Sequence, residues 1–189
     1  PWVSRAGLKL AGACEIWPKF SGAISGAVCL DLGSSTGGFT QVLLHHQAQQ
    51  VYAVDVGTDQ LHADLRADPR VVSLEQTNCR DLTTELLPQA PQILVSDLSF
   101  ISLKTALPAA LDLAAPTAWL MALIKPQFEA GRERLGKGGV VRDPAIVDDV
   151  EQELRTWFSA QGWPVIASKP SPILGPDGNV ELLCLARKS

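Results

Sequence analysis

Four cysteines, three histidines and no excess of basic charge limit what this 189-residue chain can be. Cys14, Cys29, Cys79 and Cys184 form no C-x-x-C pair, and Cys29 and Cys184 lie inside apolar runs. That spacing excludes a disulfide scaffold or a cysteine cluster and predicts small buried hydrophobes in a reducing cytoplasm. A domain of this size buries about 70% of its unfolded surface and needs no covalent staples. His45 and His46 are adjacent and point apart on a helix, while His62 stands alone, so no metal is expected. The one apolar stretch long enough to span a membrane, residues 106–124, carries Asp112 and is interrupted by Pro108 and Pro116. It therefore reads as a helix followed by a buried strand, with no membrane partner. Sixteen Lys and Arg against twenty Asp and Glu leave a net charge of −4, which argues against a generally sticky polyanion binder. Two segments depart from that balance. Arg5, Lys9 and Lys19 face only Glu15 in residues 1–20, and Arg132, Arg134, Lys137 and Arg142 face Glu129 and Glu133 in residues 127–142. No secretory signal and no methionine opens the chain at Pro1, which is expected to be part of something longer.

Short apolar runs are present in regular succession, at residues 27–30, 51–54, 71–74, 92–95, 118–124, 165–167 and 180–186. Helical patterns fall between them at 8–17, 39–46, 60–66, 104–114 and 144–161, the last with Asp143 placed to cap it and Pro144 at its first position. This alternation predicts an α/β fold, a seven-stranded, mostly parallel Rossmann-like sheet with helices on both faces. Asp31, Asp55, Asp97 and Lys125 follow the ends of four strands and Asn78 lies just past a fifth, so their side chains should converge on one crevice. Residues 127–142, with glycines at 131, 136, 138 and 139, make a long connection suited to a lid or a substrate loop.

The segment DLGSSTGGF at 31–39 sets a glycine turn between a buried strand and a helix. Gly33, Gly37 and Gly38 allow positive φ and a close approach of a ligand to the backbone, and the helix that follows directs its free N–H groups at the turn. Asp55 lies 24 residues after Asp31, near the spacing at which an acid meets the ribose of a bound nucleotide. The order is not G-x-G-x-x-G, and an acid two residues before the first glycine would repel a pyrophosphate. S-adenosylmethionine, a sulfonium cofactor without phosphate, suits the loop better than NAD.

Further along, KPQFE at 125–129 joins VSRAGLKL at 3–10, DLGSSTGGFT at 31–40, VYAVDVG at 51–57, SDLSFIS at 96–102, GKGGVVRD at 136–143 and SPILGPDGNVE at 171–181. Together these blocks resemble the TlyA (haemolysin A) family of RNA methyltransferases, within the FtsJ-like 2′-O-methyltransferase group. The resemblance implies a Lys-Asp-Lys-Glu tetrad at Lys9, Asp97, Lys125 and Glu181. It implies S-adenosylmethionine held by Asp31, Gly33, Ser34, Ser35, Thr36, Gly37, Gly38, Asp55, Val56, Asn78 and Asp97. It implies methylation of cytidine ribose 2′-hydroxyls in ribosomal RNA or ribosomal subunits, in the cytoplasm. An upstream S4-type RNA-binding domain is also implied, making residues 1–3 the tail of a linker and 4–189 the methyltransferase domain. Ala6 stands where a glycine is commoner and Thr58-Asp59 replaces a Tyr-Gly-like pair, which touches the cofactor-side loop and spares the tetrad.

Methyl transfer to a hydroxyl requires the nucleophile to lose its proton. Lys125 is the expected base, although bringing a lysine from about 10.4 to near 7 costs about 4 kcal/mol. Burial and Lys9 would favour that change, whereas Asp97 would oppose it; Asp97 then serves to align Lys125, with Lys9 and Glu181 holding the ribose or its alkoxide. Arg5, Arg132, Arg134 and Lys137 are the expected RNA contacts. A small-molecule O-methyltransferase and a membrane-active haemolysin remain as alternatives.

Overall fold

The computed structural model describes residues 1–189. The chain runs α1 (Ala6–Ile16), α2 (Pro18–Ile24), β1 (Val28–Leu32), α3 (Gly38–His45), β2 (Gln50–Val54), α4 (Ala63–Arg66), β3 (Val71–Leu74) and β4 (Ile93–Ser96). It continues through α5 (Leu103–Ala106), α6 (Pro108–Leu113), β5 (Ala118–Ile124), α7 (Pro144–Ala160), β6 (Val165–Pro170) and β7 (Leu182–Lys188). The seven strands form one sheet in the order β3-β2-β1-β4-β5-β7-β6. Its first five strands are parallel, and β7 runs antiparallel between β5 and β6. Leu32 pairs with Val54 on one side and Ser96 on the other, so the carboxyl ends of β1, β2 and β4 lie level.

Alternation along the strands divides the interior into two cores. Leu30, Tyr52, Leu94, Leu120 and Cys184 face α5, α6 and α7, whose Leu103, Leu111, Leu154 and Phe158 cover them. Cys29, Val51, Ile93, Met121 and Leu183 face the opposite side, beneath Leu10 of α1, Phe20 of α2 and Leu43 of α3. Helix α7 carries Val150, Leu154 and Phe158 at four-residue intervals, all buried, and opens with the Asp143 side chain accepting the Ala145 N–H at 2.9 Å. The four cysteines are buried thiols, and burial raises those of Cys14, Cys29 and Cys184 well above the usual range.

The expected sheet is present with all seven strands, and several boundaries differ. Helix α1 begins two residues earlier than its pattern suggested, and α2 went unforeseen. The helix expected over 104–114 is divided at Pro108, which has no N–H to donate and starts α6 afresh. The segment expected to be helical from residue 60 becomes regular only at Ala63, after a loop in which Asp59 takes φ +53°. The last strand starts at Leu182 instead of 180. Residues 1–3, expected as a linker tail, lie against α3: the Val3 N–H donates to Gln41 Oε1 at 2.7 Å and Trp2 meets His45 edge-on. No helix is long and apolar enough to cross a membrane.

Phe158 is fully buried and joins α7 to the sheet, so Phe158→Ala should destabilise the chain by about 3–5 kcal/mol in urea unfolding. A loss below about 1 kcal/mol would show that α7 does not hold that face of the sheet.

Candidate active site and cofactor crevice

The turn after β1 is shaped by close contacts within the protein. Gly33 has φ +79°, and a Cβ there would come within 2.4 Å of the Asp97 carbonyl oxygen. Its glycine is demanded by the near collision of the β1 and β4 ends. Gly37, at φ +104°, and Gly38 are likewise required by packing, against Leu65 and against Ser4 and Gly7. Neither Gly37 nor Gly38 lines the crevice, whereas Gly33, Ser34, Ser35 and Thr36 do. The Asp55 carboxylate ties the loop to β2, accepting the Ser35 N–H at 3.1 Å and the Gly57 N–H at 2.9 Å.

Two compartments of about 670 and 550 Å³ meet along Gly33, Ser35, Asp97, Ser99 and Phe100 above the carboxyl ends of the strands. The smaller holds Asp55, Val56, Gln60 and Asn78 beside Ile101, a mixture of apolar wall and polar groups suited to a nucleoside. The larger holds Ser34 and Thr36 together with Lys9, Asp97, Lys125 and Glu181. Every residue expected at the cofactor therefore lines the crevice except Gly37, Gly38 and Asp31. Asp31 lies beneath it, wholly buried, with one carboxylate oxygen accepting from Thr40 Oγ1 at 2.7 Å and the other, Oδ1, without a partner. Burial lifts Asp31 to about 7 against the opposing Thr40 hydrogen bond, and the nearby Asp97 and Asp55 carboxylates add to the rise.

The four tetrad positions come together as two ion pairs. Lys9, on α1, donates to Glu181 Oε1 at 2.6 Å, and both side chains are almost wholly buried. Lys125, just after β5, pairs with Asp97, just after β4, and donates to Ser99 Oγ at 3.0 Å. The Glu181 Oε2 atom has no hydrogen-bond partner and lies where a side chain on Gly175 would come within 2.5 Å. Residue-by-residue reasoning missed Ser99, Gln127 and Phe100. Gln127 Oε1 is buried without a partner, and Phe100 is 90% exposed at φ +66°. All three sit inside SDLSFIS or KPQFE, so their motifs were visible and their individual roles were not.

The expected RNA contacts divide. Arg5 is exposed at the mouth of the larger compartment, and Arg132 and Lys137 are exposed on the loop after β5. Arg134 is half-buried, donating to the Ala130 carbonyl at 2.6 Å and lying 3.7 Å from Glu153 of α7, so it fastens that loop to its helix. No group of three or more His, Cys, Asp or Glu side chains is placed to hold a metal ion.

Sheet order, crevice and acid-flanked turn define the fold of an S-adenosylmethionine-dependent methyltransferase. Magnesium protoporphyrin IX methyltransferase from Synechocystis, solved with S-adenosylhomocysteine, shares it at a TM-score of 0.68 and 12% identity, over 98% of this chain and 84% of that one. The chain belongs to the FtsJ-like methyltransferase family, whose profile matches residues 2–188. It is 48% identical over 180 residues to the 16S/23S rRNA (cytidine-2′-O)-methyltransferase TlyA of Mycobacterium tuberculosis, covering 95% of this chain and 66% of that protein. It thus spans just under two thirds of that relative's length. A solved Streptococcus thermophilus protein described as a hemolysin superposes with a TM-score of 0.94 at 41% identity, over 100% of this chain and 67% of the other.

With its pKa raised, Asp31 holds a proton more tightly in the folded chain than in the unfolded one. Its contribution to stability is present at acid pH and is lost as pH rises from about 4 through about 7. Asp31→Asn should flatten the fall in unfolding free energy across that window by up to about 4 kcal/mol in denaturant titrations of the ligand-free chain. An unaltered pH dependence would contradict the buried carboxylate as its source.

Proposed function

We propose that this chain transfers a methyl group from S-adenosylmethionine to the ribose 2′-hydroxyl of cytidine in ribosomal RNA, in the cytoplasm. The observation that carries the reading is the convergence of the Lys9–Glu181 and Lys125–Asp97 pairs on one compartment of the crevice, beside the loop after β1. The name borne by the Mycobacterium tuberculosis relative supplies the substrate class.

The residues present fit the cofactor. Asp31, buried beneath the turn with Oδ1 unpartnered, gains charge when a cation such as an ammonium tail sits above it, and Asp55 retains free acceptor capacity for ribose hydroxyls. Val56 and Ile101 supply apolar wall and Asn78 a polar edge. When bound, S-adenosylmethionine supplies a methyl group activated by its sulfonium.

The chain's own task is to align a hydroxyl and remove its proton. Lys125 Nζ, as the free amine, accepts that proton, and Asp97 and Ser99 fix where the nitrogen points. Lys9 lies in the same compartment to balance charge that develops on the ribose oxygen, and Glu181 holds Lys9 in place. Phe100 presents an open aromatic face between the compartments, where a nucleobase can stack. Arg5 at the mouth, and Arg132 and Lys137 beyond it, meet phosphates. The S4-type domain implied by the resemblance adds RNA capture of its own.

Lys125→Ala should lower label transfer from S-adenosylmethionine to unmethylated ribosomal subunits by roughly 10²–10⁴-fold, with the cofactor Kd unchanged in calorimetry. Normal turnover would remove Lys125 from the mechanism. Neutralising Arg132 and Lys137 should reduce the slope of log affinity against log salt by about 1.5 in RNA titrations, and an unchanged slope would exclude the loop as a phosphate contact.

A further inference from the structure

Two chain segments form the floor between the compartments, and three cross-links join them like rungs. At one end Lys125 bonds Asp97 and Ser99. In the middle the Phe100 and Phe128 rings meet with centroids 5.0 Å apart. At the far end the Glu129 carboxylate accepts from Ser102 Oγ at 2.6 Å and from the Leu103 N–H at 2.8 Å. Ser102 in turn accepts the Lys104 N–H at 3.2 Å, so Glu129 closes a double cap over the first turn of α5.

We propose that Glu129 is a positioning residue: it clamps the segment that carries Asp97, Ser99 and Phe100 to the segment that carries Lys125, and thereby sets the reacting geometry. This rests on the reading of Lys125 as base. The clamp answers a mechanical need. Phe100 adopts φ +66°, a left-handed conformation that costs a bulky residue about 1–3 kcal/mol and persists only where its surroundings hold it. Its ring is 90% exposed, so core packing does not hold it. The backbone on either side is instead fixed by rungs: Lys125 before Phe100, Glu129 after it.

Glu129 is also an expensive way merely to cap a helix of one turn. It is largely buried, and that burial raises its pKa against the opposing donors Ser102 and Leu103. A carboxylate is retained there across 26 and 27 residues of sequence, from the loop after β5 to the loop after β4, where Ser102 alone already caps α5.

The test uses Glu129→Ala, Glu129→Gln and Ser102→Ala beside the unaltered chain, with kcat for ribosomal RNA, cofactor Kd, and amide hydrogen exchange over residues 97–103 as readouts. Glu129→Ala should lower kcat roughly 10- to 100-fold and speed exchange at Leu103, with cofactor Kd within about threefold of the original. Glu129→Gln, whose amide can still accept from Leu103 and donate to Ser102, should restore most of the loss. Unchanged kcat and exchange in Glu129→Ala, or no rescue by Gln, would overturn the proposal. If Glu129→Ala loses its far-UV circular dichroism, Ser102→Ala decides: a lowered kcat at constant Kd supports the clamp, and an unchanged kcat refutes it. If the unaltered chain labels no RNA, the substrate reading has failed, and hydrogen exchange over 97–103 alone decides for or against the clamp.

Discussion

The adjacent parallel strands β4 and β5 bring Asp97 and Lys125 together, and most of the site follows from that one contact. Ser96 pairs with Ala122 in the β4–β5 register and β5 runs two residues farther, to Ile124, so the long Lys125 side chain spans that step to reach Asp97. Held on the rigid end of the sheet, the pair fixes the tip of a long, flexible side chain at little conformational cost, which a surface ion pair does not do. The Gly33 turn depends on the same meeting point, because the Asp97 carbonyl leaves no room for a side chain there. The proposed cofactor loop and catalytic pair are therefore parts of a single packed junction.

Charge is arranged by depth. Asp31 lies under the turn after β1, Asp55 at its side and Asp97 across from it, three carboxylates around a crevice proposed to take a cationic cofactor. Their mutual repulsion, with the burial of Asp31, is a cost that a bound cation would relieve. The basic groups stand farther out, at the mouth and on the loop after β5, where a polyanion would arrive. A net charge of −4 is thus compatible with the proposed RNA substrate, the acidic residues standing around the proposed cofactor site and the basic residues farther out.

The strands were legible because each is short, apolar and ends in a chemically distinct residue. Strand β7's direction was not, since period-two alternation reads the same in either sense. Helix α2 escaped notice although Phe20 and Ile24 mark its buried face, because seven residues show too little periodicity to stand out. Strand ends and motif blocks pointed to Asp55 and the four tetrad positions, which the fold brings to one crevice. The positive φ expected at Gly37 is present, but the close approach at Gly37 and Gly38 is made by Leu65, Ser4 and Gly7, contacts that belong to tertiary packing and leave no local trace. The Glu129 bonds to Ser102 and Leu103 were hidden for the same reason, since a link between two loops cannot be read along one of them.

The most direct measurement is to incubate the chain with labelled S-adenosylmethionine and unmethylated ribosomal subunits, digest the RNA and chromatograph the nucleosides. A version carrying the upstream S4-type domain that the family resemblance implies runs alongside. Label confined to 2′-O-methylcytidine is the predicted result. Label on a base, or none in either version while the cofactor still binds, would contradict the assignment of this crevice to ribose methylation.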